Sequence, residues 1–243
     1  MRVSLEPAYL LHRRPFRDSS QLLELFTVNH GRVALMGRGL TRKRHGGALG
    51  AILQPFRPLL VSFSGRGDMQ TLTAVESGGE LAALQGDALL SGFYLNELLL
   101  RLLHRHDAQQ LVFAAYGGAL GELAGLPADA SLEPALRRFE FAALDALGYG
   151  IDLRAEIDSH DPLVDEDHYQ LLPERGLKRC HSPDKSTYPG ADLVAIGRGD
   201  YEAAPVTAKR LVRNLLEPHL GDRPLNTRNM FERAPSQPDA GAA

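Results

Sequence analysis

The sequence predicts an α+β chain of more than one domain: a small β-barrel or sandwich first, then a helical domain carrying an irregular acidic insertion. Three observations predict it. Residues 1–75 hold short apolar or alternating runs separated by glycine-rich punctuation, the signature of several short strands. From about residue 80 the apolar period changes to the 3.6-residue repeat of helices. Residues 151–200 lose both periods and fill with aspartates and prolines.

The strand candidates are Tyr9–Leu11, Leu22–Val28, Val33–Met36, Leu59–Phe63 and Met69–Val75, with turns at Asn29-His-Gly, Gly37-Arg-Gly, Gly46-Gly and Gly65-Arg-Gly. Leu59, Val61 and Phe63 share one face by the two-residue period and mark a core side. Leu95, Leu98, Leu99, Leu102 and Leu103 make one helical stripe, with His104 and His106 as solvated helix-end residues. A second helix covers Gln110–Ala124, where Gly117, Gly118 and Gly121 would allow close packing. A third starts near Ser131 as N-cap, tolerates Pro134 in its first turn and stops at Gly148. The insertion at 151–200 offers one short strand, Tyr169–Leu172, and a last helix spans Thr207–Leu220. The tail from Ala234 is expected to be disordered. The domains are thus expected at 1–78, 79–233 and a tail 234–243.

Charge is distributed unevenly. The 243 residues carry a formal charge of −3. Residues 1–75 hold eleven Lys/Arg against four Asp/Glu, or +7, while residues 76–204 hold ten against 22, or −12. The remaining 39 residues contribute +2. Either the first part meets a polyanion, or the two parts attract each other. Within the positive part, Gly37-Arg-Gly-Leu-Thr-Arg-Lys-Arg places Arg38, Arg42, Lys43 and Arg44 in a glycine-bounded loop between strands, read as a hairpin that can grip a phosphate backbone. Arg32, Arg57 and Arg66 also sit at strand ends or turns. Phe16, Phe56 and Phe63 are either base-stacking platforms or core.

Other chemistry finds little support. A single cysteine, Cys180, excludes an internal disulfide framework and fits a reducing cytosol. The amino terminus shows no signal-peptide pattern, and the segment around Leu89–Leu103 is too short and polar to span a bilayer, so a soluble cytoplasmic protein is expected. There is no Walker phosphate loop around Lys185-Ser and no nucleophile elbow at Ser64. Cys180-His181 with His160 or His168 is a poor zinc set. The carboxylates of Asp158–Asp167 read as a solvated loop or as metal ligands of a nuclease.

Several stretches, in chain order, resemble the RecO family of bacterial DNA repair and recombination mediators. They are Arg14-Pro-Phe-Arg-Asp-Ser-Ser-Gln-Leu-Leu, Phe26-Thr with Gly31-Arg-Val, Gly37-Arg-Gly, Leu53-Gln-Pro-Phe-Arg-Pro-Leu-Leu and Gly65-Arg-Gly-Asp-Met-Gln-Thr-Leu-Thr. Gly92-Phe-Tyr-Leu-Asn-Glu-Leu-Leu-Leu-Arg, Ala135-Leu-Arg-Arg-Phe-Glu, Leu147-Gly-Tyr-Gly, Ala208-Lys-Arg-Leu-Val-Arg and Leu220-Gly-Asp-Arg-Pro-Leu-Asn-Thr-Arg-Asn-Met-Phe continue the series.

The resemblance implies an amino-terminal OB-fold barrel, a helical domain and no enzymatic turnover or cofactor. It implies binding of single- and double-stranded DNA, strand annealing and action with RecR. It also implies help for RecA in loading onto DNA coated by single-stranded-DNA-binding protein, in the cytoplasm and at the nucleoid during repair. The DNA grip would then be Arg14, Arg32, Arg38, Arg42, Lys43, Arg44, Arg57 and Arg66. The coating protein's acidic, hydrophobic-ended tail would meet the Leu136–Phe139 segment, with Arg137 and Arg138 as charge partners. Arg137 or Arg138 pairing with Glu133, or facing solvent, is the competing reading. Some members carry a four-cysteine zinc module across residues 150–190; with only Cys180 here, no metal is carried over. A protein adaptor and a metal-dependent nuclease remain as alternative classes.

Overall fold

A computed structural model describes residues 2–16, 20–40, 50–221 and 223–227. Two compact units emerge, residues 1–108 with 220–243, and residues 109–219, so the second is an insertion within the first along the chain.

The first unit is built on β1 (Arg2–Phe16), β2 (Ser20–Thr27), β3 (Gly31–Gly37), β4 (Leu59–Ser64) and β5 (Met69–Ser77). They close into a barrel in the order β1-β2-β3-β5-β4, with β3 and β5 parallel and the other pairs antiparallel. The expected OB-type barrel is therefore present. Its stagger is visible in one cross-strand row. Arg14 pairs with Leu22, Leu22 with Met36, Met36 with Thr71, Thr71 with Ser64, and Ser64 with Arg2. The row leaves β1 near its end and returns near its start, the displacement a small closed barrel needs. One long strand serves both edges because bulges at Leu10/His12 and Val3/Glu6 bend it.

Alternate residues fill the interior: Leu10, Leu23, Leu25, Leu35, Leu59, Val61 and Phe63 are each at most 1% exposed. Each such side chain contributes about 1.5–3 kcal/mol of burial free energy. The Leu59–Phe63 face is the core side, as the period predicts. Phe56 and Phe63 are core residues at 4% and 1% exposure, so neither is a stacking platform.

Two sequence expectations are corrected in this unit. The basic segment after β3 is not a hairpin loop, because the strands it connects, β3 and β4, do not pair; β5 lies between them. Helix α1 (Gly86–Leu102) ends before His104 and His106, which lie in the following segment. The α1 stripe packs on the outside of the barrel. Asn96 donates to the Leu11 carbonyl at 3.1 Å, Arg32 donates to the Leu100 carbonyl, and Phe56 meets Phe93 edge-on at 5.1 Å. Gly92 permits this approach, since a Cβ there would stand 2.9 Å from the Phe56 ring. Leu22 and Phe26, on the outer face of β2, are buried along with its inner face.

The second unit contains α2 (Gln110–Gly125), α3 (Glu133–Ala146), α4 (Gly190–Gly197) and the helix α5 (Pro205–Leu220). Tyr116 on α2 meets Phe139 on α3 edge-on at 6.2 Å. Gly118 and Gly121 face open space, so they do not serve close packing. Helix α3 begins at Glu133 and not at a Ser131 cap, because Leu132 is already in the α region; the Ser131 hydroxyl accepts the Glu133 N–H at 3.4 Å. It ends as predicted at Gly148, whose φ of +78° lets Tyr149 N–H bond back to the Leu144 carbonyl at 2.8 Å.

The acidic insertion is more ordered than its composition suggests. It holds an antiparallel sheet of β6 (His168–Leu172), β7 (Gly176–Cys180) and β8 (Tyr188–Pro189) in the order β7-β6-β8. Buried Tyr169, Leu177 and Tyr188 give that sheet a core too small to register as a hydrophobic period. Helix α5 holds it through Arg210, whose guanidinium lies 4.1 Å over the Tyr188 ring, and Asn214, which donates to the Tyr188 hydroxyl at 2.7 Å. Among the described residues no helix is long and apolar enough to cross a membrane.

Candidate nucleic-acid interface

One end of the barrel gathers the basic side chains. Gln21 pairs with Gly37 and Pro15, so the β1–β2 tip and the exit of β3 lie side by side. Arg14 and Arg38 are exposed there, with no hydrogen-bond or ion-pair partner among the described residues. Arg42, Lys43 and Arg44 lie outside the described residues, but the points where their segment leaves and rejoins the barrel are fixed. Leu40, 7% exposed, and Leu53, 1% exposed, both sit in the barrel core. Arg13, which sequence reasoning passed over, pins the return by donating to the Leu53 carbonyl at 3.1 Å.

The remaining candidates divide. Arg66 is exposed and partnerless among the described residues, on the turn between β4 and β5. Arg2, also missed, joins that region because it pairs with Ser64, and it too is exposed. No local signal could have placed a residue at the chain start beside residue 66; barrel closure does. Arg57 donates to the Ser77 hydroxyl at 3.2 Å and is half-buried. Arg32 is committed inward: it donates to the Leu100 carbonyl and lies 3.8 Å from Glu24, which also holds Arg105 at 2.5 Å. Burial lowers the Arg32 pKa, Glu24 opposes that shift, and Arg105 adds to it.

In the second unit, Arg137 and Arg138 part ways. Arg137 is buried, with its Nε 2.9 Å from the fully buried Glu140 and its Nη2 3.5 Å from Glu133. Arg138 is on the surface and pairs with Glu122, which raises its pKa. One helical turn on, Phe141 opens a cavity of about 680 Å³ lined also by Asp145, Leu153, Ile196, Arg198 and Tyr201. Phe141 and Tyr201 stack in parallel, 5.5 Å apart, as its aromatic wall. Arg198 is exposed and uncommitted among the described residues, and burial raises the Asp145 pKa.

The carboxylates from Asp158 to Asp167 do not converge. Asp158 binds Lys178 at 2.8 Å and Asp167 binds Arg179 at 3.2 Å. Glu156 instead accepts the Ser159 N–H at 2.7 Å, and that bond, with other backbone donors, holds its pKa at about 2. The Cys180 thiol donates to the Ser182 carbonyl at 3.3 Å. Among the described residues no three His, Cys, Asp or Glu side chains come together as a metal site.

The family models agree with this architecture. "Recombination protein O N terminal" matches residues 1–78, and "Recombination protein O C terminal" matches residues 83–193. This chain belongs to the RecO family. It is 44% identical over 232 residues to the DNA repair protein RecO of Methylococcus capsulatus, covering 95% of this chain and 93% of that one. The corresponding protein of Nitrosococcus oceani is 43% identical, covering 96% and 94%. That of Coxiella burnetii is 41% identical, covering 95% and 98%. The resemblance drawn from scattered motifs thus extends through both RecO domains, and the barrel with its basic end is the RecO amino-terminal domain.

Proposed function

We propose that this RecO-family chain is a non-catalytic, DNA-binding mediator of recombinational repair. It captures single- and double-stranded DNA at the basic end of the barrel and anneals complementary strands. With RecR, it helps RecA load onto DNA coated by single-stranded-DNA-binding protein. The observation that carries the reading is the meeting of Arg14 and Arg38 at one end of an OB-type barrel, in a chain whose first 75 residues carry a net charge of +7. Phosphate backbones reward such uncommitted cations by counterion release, without need for sequence readout. Arg66 and Arg2 are a second basic point, at the β4–β5 turn, which the strand directions put at the other end of the barrel, whereas Arg32 and Arg57 serve the barrel itself.

The expected result for Arg42→Glu/Lys43→Glu/Arg44→Glu is a loss of at least about tenfold in affinity for fluorescent single-stranded DNA. The log–log salt slope should shrink by about 2, since each single-strand phosphate contact contributes about 0.7. Equal affinity and slope in variant and parent would remove the basic segment from the grip.

For the acidic, hydrophobic-ended tail of the coating protein, the geometry favours the Phe141/Tyr201 cavity over the buried Arg137. Its aromatic wall suits an apolar chain end, Arg198 lines it and can meet a carboxylate, and Arg138 lies within electrostatic reach of Tyr201. Arg138→Glu/Arg198→Glu should weaken a labelled tail peptide about tenfold in fluorescence anisotropy while sparing naked DNA. Undiminished peptide binding would place the tail elsewhere.

A further inference from the structure

The barrel-bearing unit is completed by a segment more than a hundred residues away in sequence, and one carboxylate holds it there. Glu97, half-buried on α1, accepts from both backbone and side chain of two consecutive residues. Asn226 N–H and Nδ2 donate to Oε1 at 2.8 and 3.0 Å, and Thr227 N–H and Oγ1 donate to Oε2 at 2.9 Å each. A turn further along α1, Arg101 donates to the Leu220 carbonyl at 3.2 Å and the Arg223 carbonyl at 3.4 Å, and lies 3.8 Å from Glu97. Leu225 between these anchors is 2% exposed and Thr227 6%. Burial pushes the Glu97 pKa up, but the bonds from Thr227 and Asn226 with the charge of Arg101 outweigh it and hold the group below its ordinary value. The carboxylate therefore stays ionised at neutral pH, when an acceptor-only group can take all four donors.

The anchored segment carries one guanidinium with no such duty. Arg223 uses only its carbonyl in the clasp; its side chain is exposed and partnerless among the described residues. The neighbouring cations are spent, Arg101 on carbonyls and Arg105 on Glu24. We propose that the Arg223–Thr227 segment is a strap, clasped by Glu97, that brings Arg223 onto the barrel-bearing unit as an additional phosphate contact. This rests on the DNA-binding reading above, and it adds to the grip a residue from beyond the inserted unit. Charge in the first 75 residues could not reveal it.

Two measurements on the full chain test it. Hydrogen exchange reads the strap without DNA: the Asn226 and Thr227 amides should be protected in the parent and exchange at least about tenfold faster in Glu97→Gln, which loses half of the acceptor capacity. Rapid exchange in the parent would overturn the clasp. Single-stranded DNA titrated at several salt concentrations reads the contact. Arg223→Glu should retain amide protection but lower affinity about three- to tenfold and reduce the salt slope by about 0.7. If the parent binds and Arg223→Glu binds equally with the same slope, the contact is overturned while the DNA-binding reading stands. If the parent fails to bind DNA at low salt, both fall.

Discussion

Glu140→Ala is expected to destabilise the second unit by about 3–5 kcal/mol, the cost of leaving a buried charge without its partner. Glu140 is wholly inaccessible, and Arg137 has only 7% of its side chain exposed. Removing the carboxylate strands a guanidinium that cannot reach water, with only the more exposed Glu133 left at 3.5 Å. Because domains are stable by only about 5–15 kcal/mol, that is a large fraction of the total. Urea denaturation followed by circular dichroism should show the midpoint falling steeply. A change below about 1 kcal/mol would mean that the pair relaxes into solvent. An Arg137→Met/Glu140→Leu double variant should recover most of the loss, since apolar replacement of both partners avoids the stranded charge. This also bears on function. A substitution at Arg137 that weakened tail binding would act through folding, which is why Arg138 and Arg198 are the informative positions.

Gly31→Val should cost about 3 kcal/mol or more in the first unit. The residue has φ of +61°, a region in which a β-branched side chain is strained by about 1–2 kcal/mol. A Cβ there would also stand 1.9 Å from the Asp107 carbonyl oxygen and 2.4 Å from its carbon. Those are backbone atoms, so no rotamer change relieves the overlap; residues 103–108 must move. They are bound to the barrel by the His106 N–H to Arg32 carbonyl bond at 3.1 Å, a bridge between Arg32 and Arg105, and the 2.5 Å Arg105–Glu24 pair. The variant should lower the melting temperature and release protection of the His106 amide. Unchanged exchange at His106 would show that the segment is not held by this turn. Gly31→Ala, without the branched Cβ, should show a smaller loss in the same two measurements.

Much of this chain is legible in its amino-acid order. Two-residue alternation marks Leu59, Val61 and Phe63 as core, the 3.6-residue stripe places α1, and Gly148 stops α3. The ordered motifs point to the RecO family, which the domain matches show. These signals survive because strand and helix periods, turn glycines and composition are local, imposed by backbone sterics and burial within a few residues. The small sheet of the insertion escapes such reading because its three buried side chains are scattered between charged turns.

What only the tertiary structure decided is which groups become neighbours. Arg32, Arg38 and Arg137 look alike along the sequence. Yet the Leu100 carbonyl and Glu24 take the first, solvent keeps the second, and Glu140 buries the third. Parallel pairing of β3 with β5 turned an apparent hairpin into a crossing, and closure set Arg2 beside the β4–β5 turn. The strap on Glu97 joins residues 130 positions apart. A long-range partner is selected by the whole packed arrangement that brings two segments together, and neither segment carries its address. A charged side chain's role follows from that partner, so the sequence determined the fold class and the sign of the field, and the tertiary structure decided which cations remain free to act.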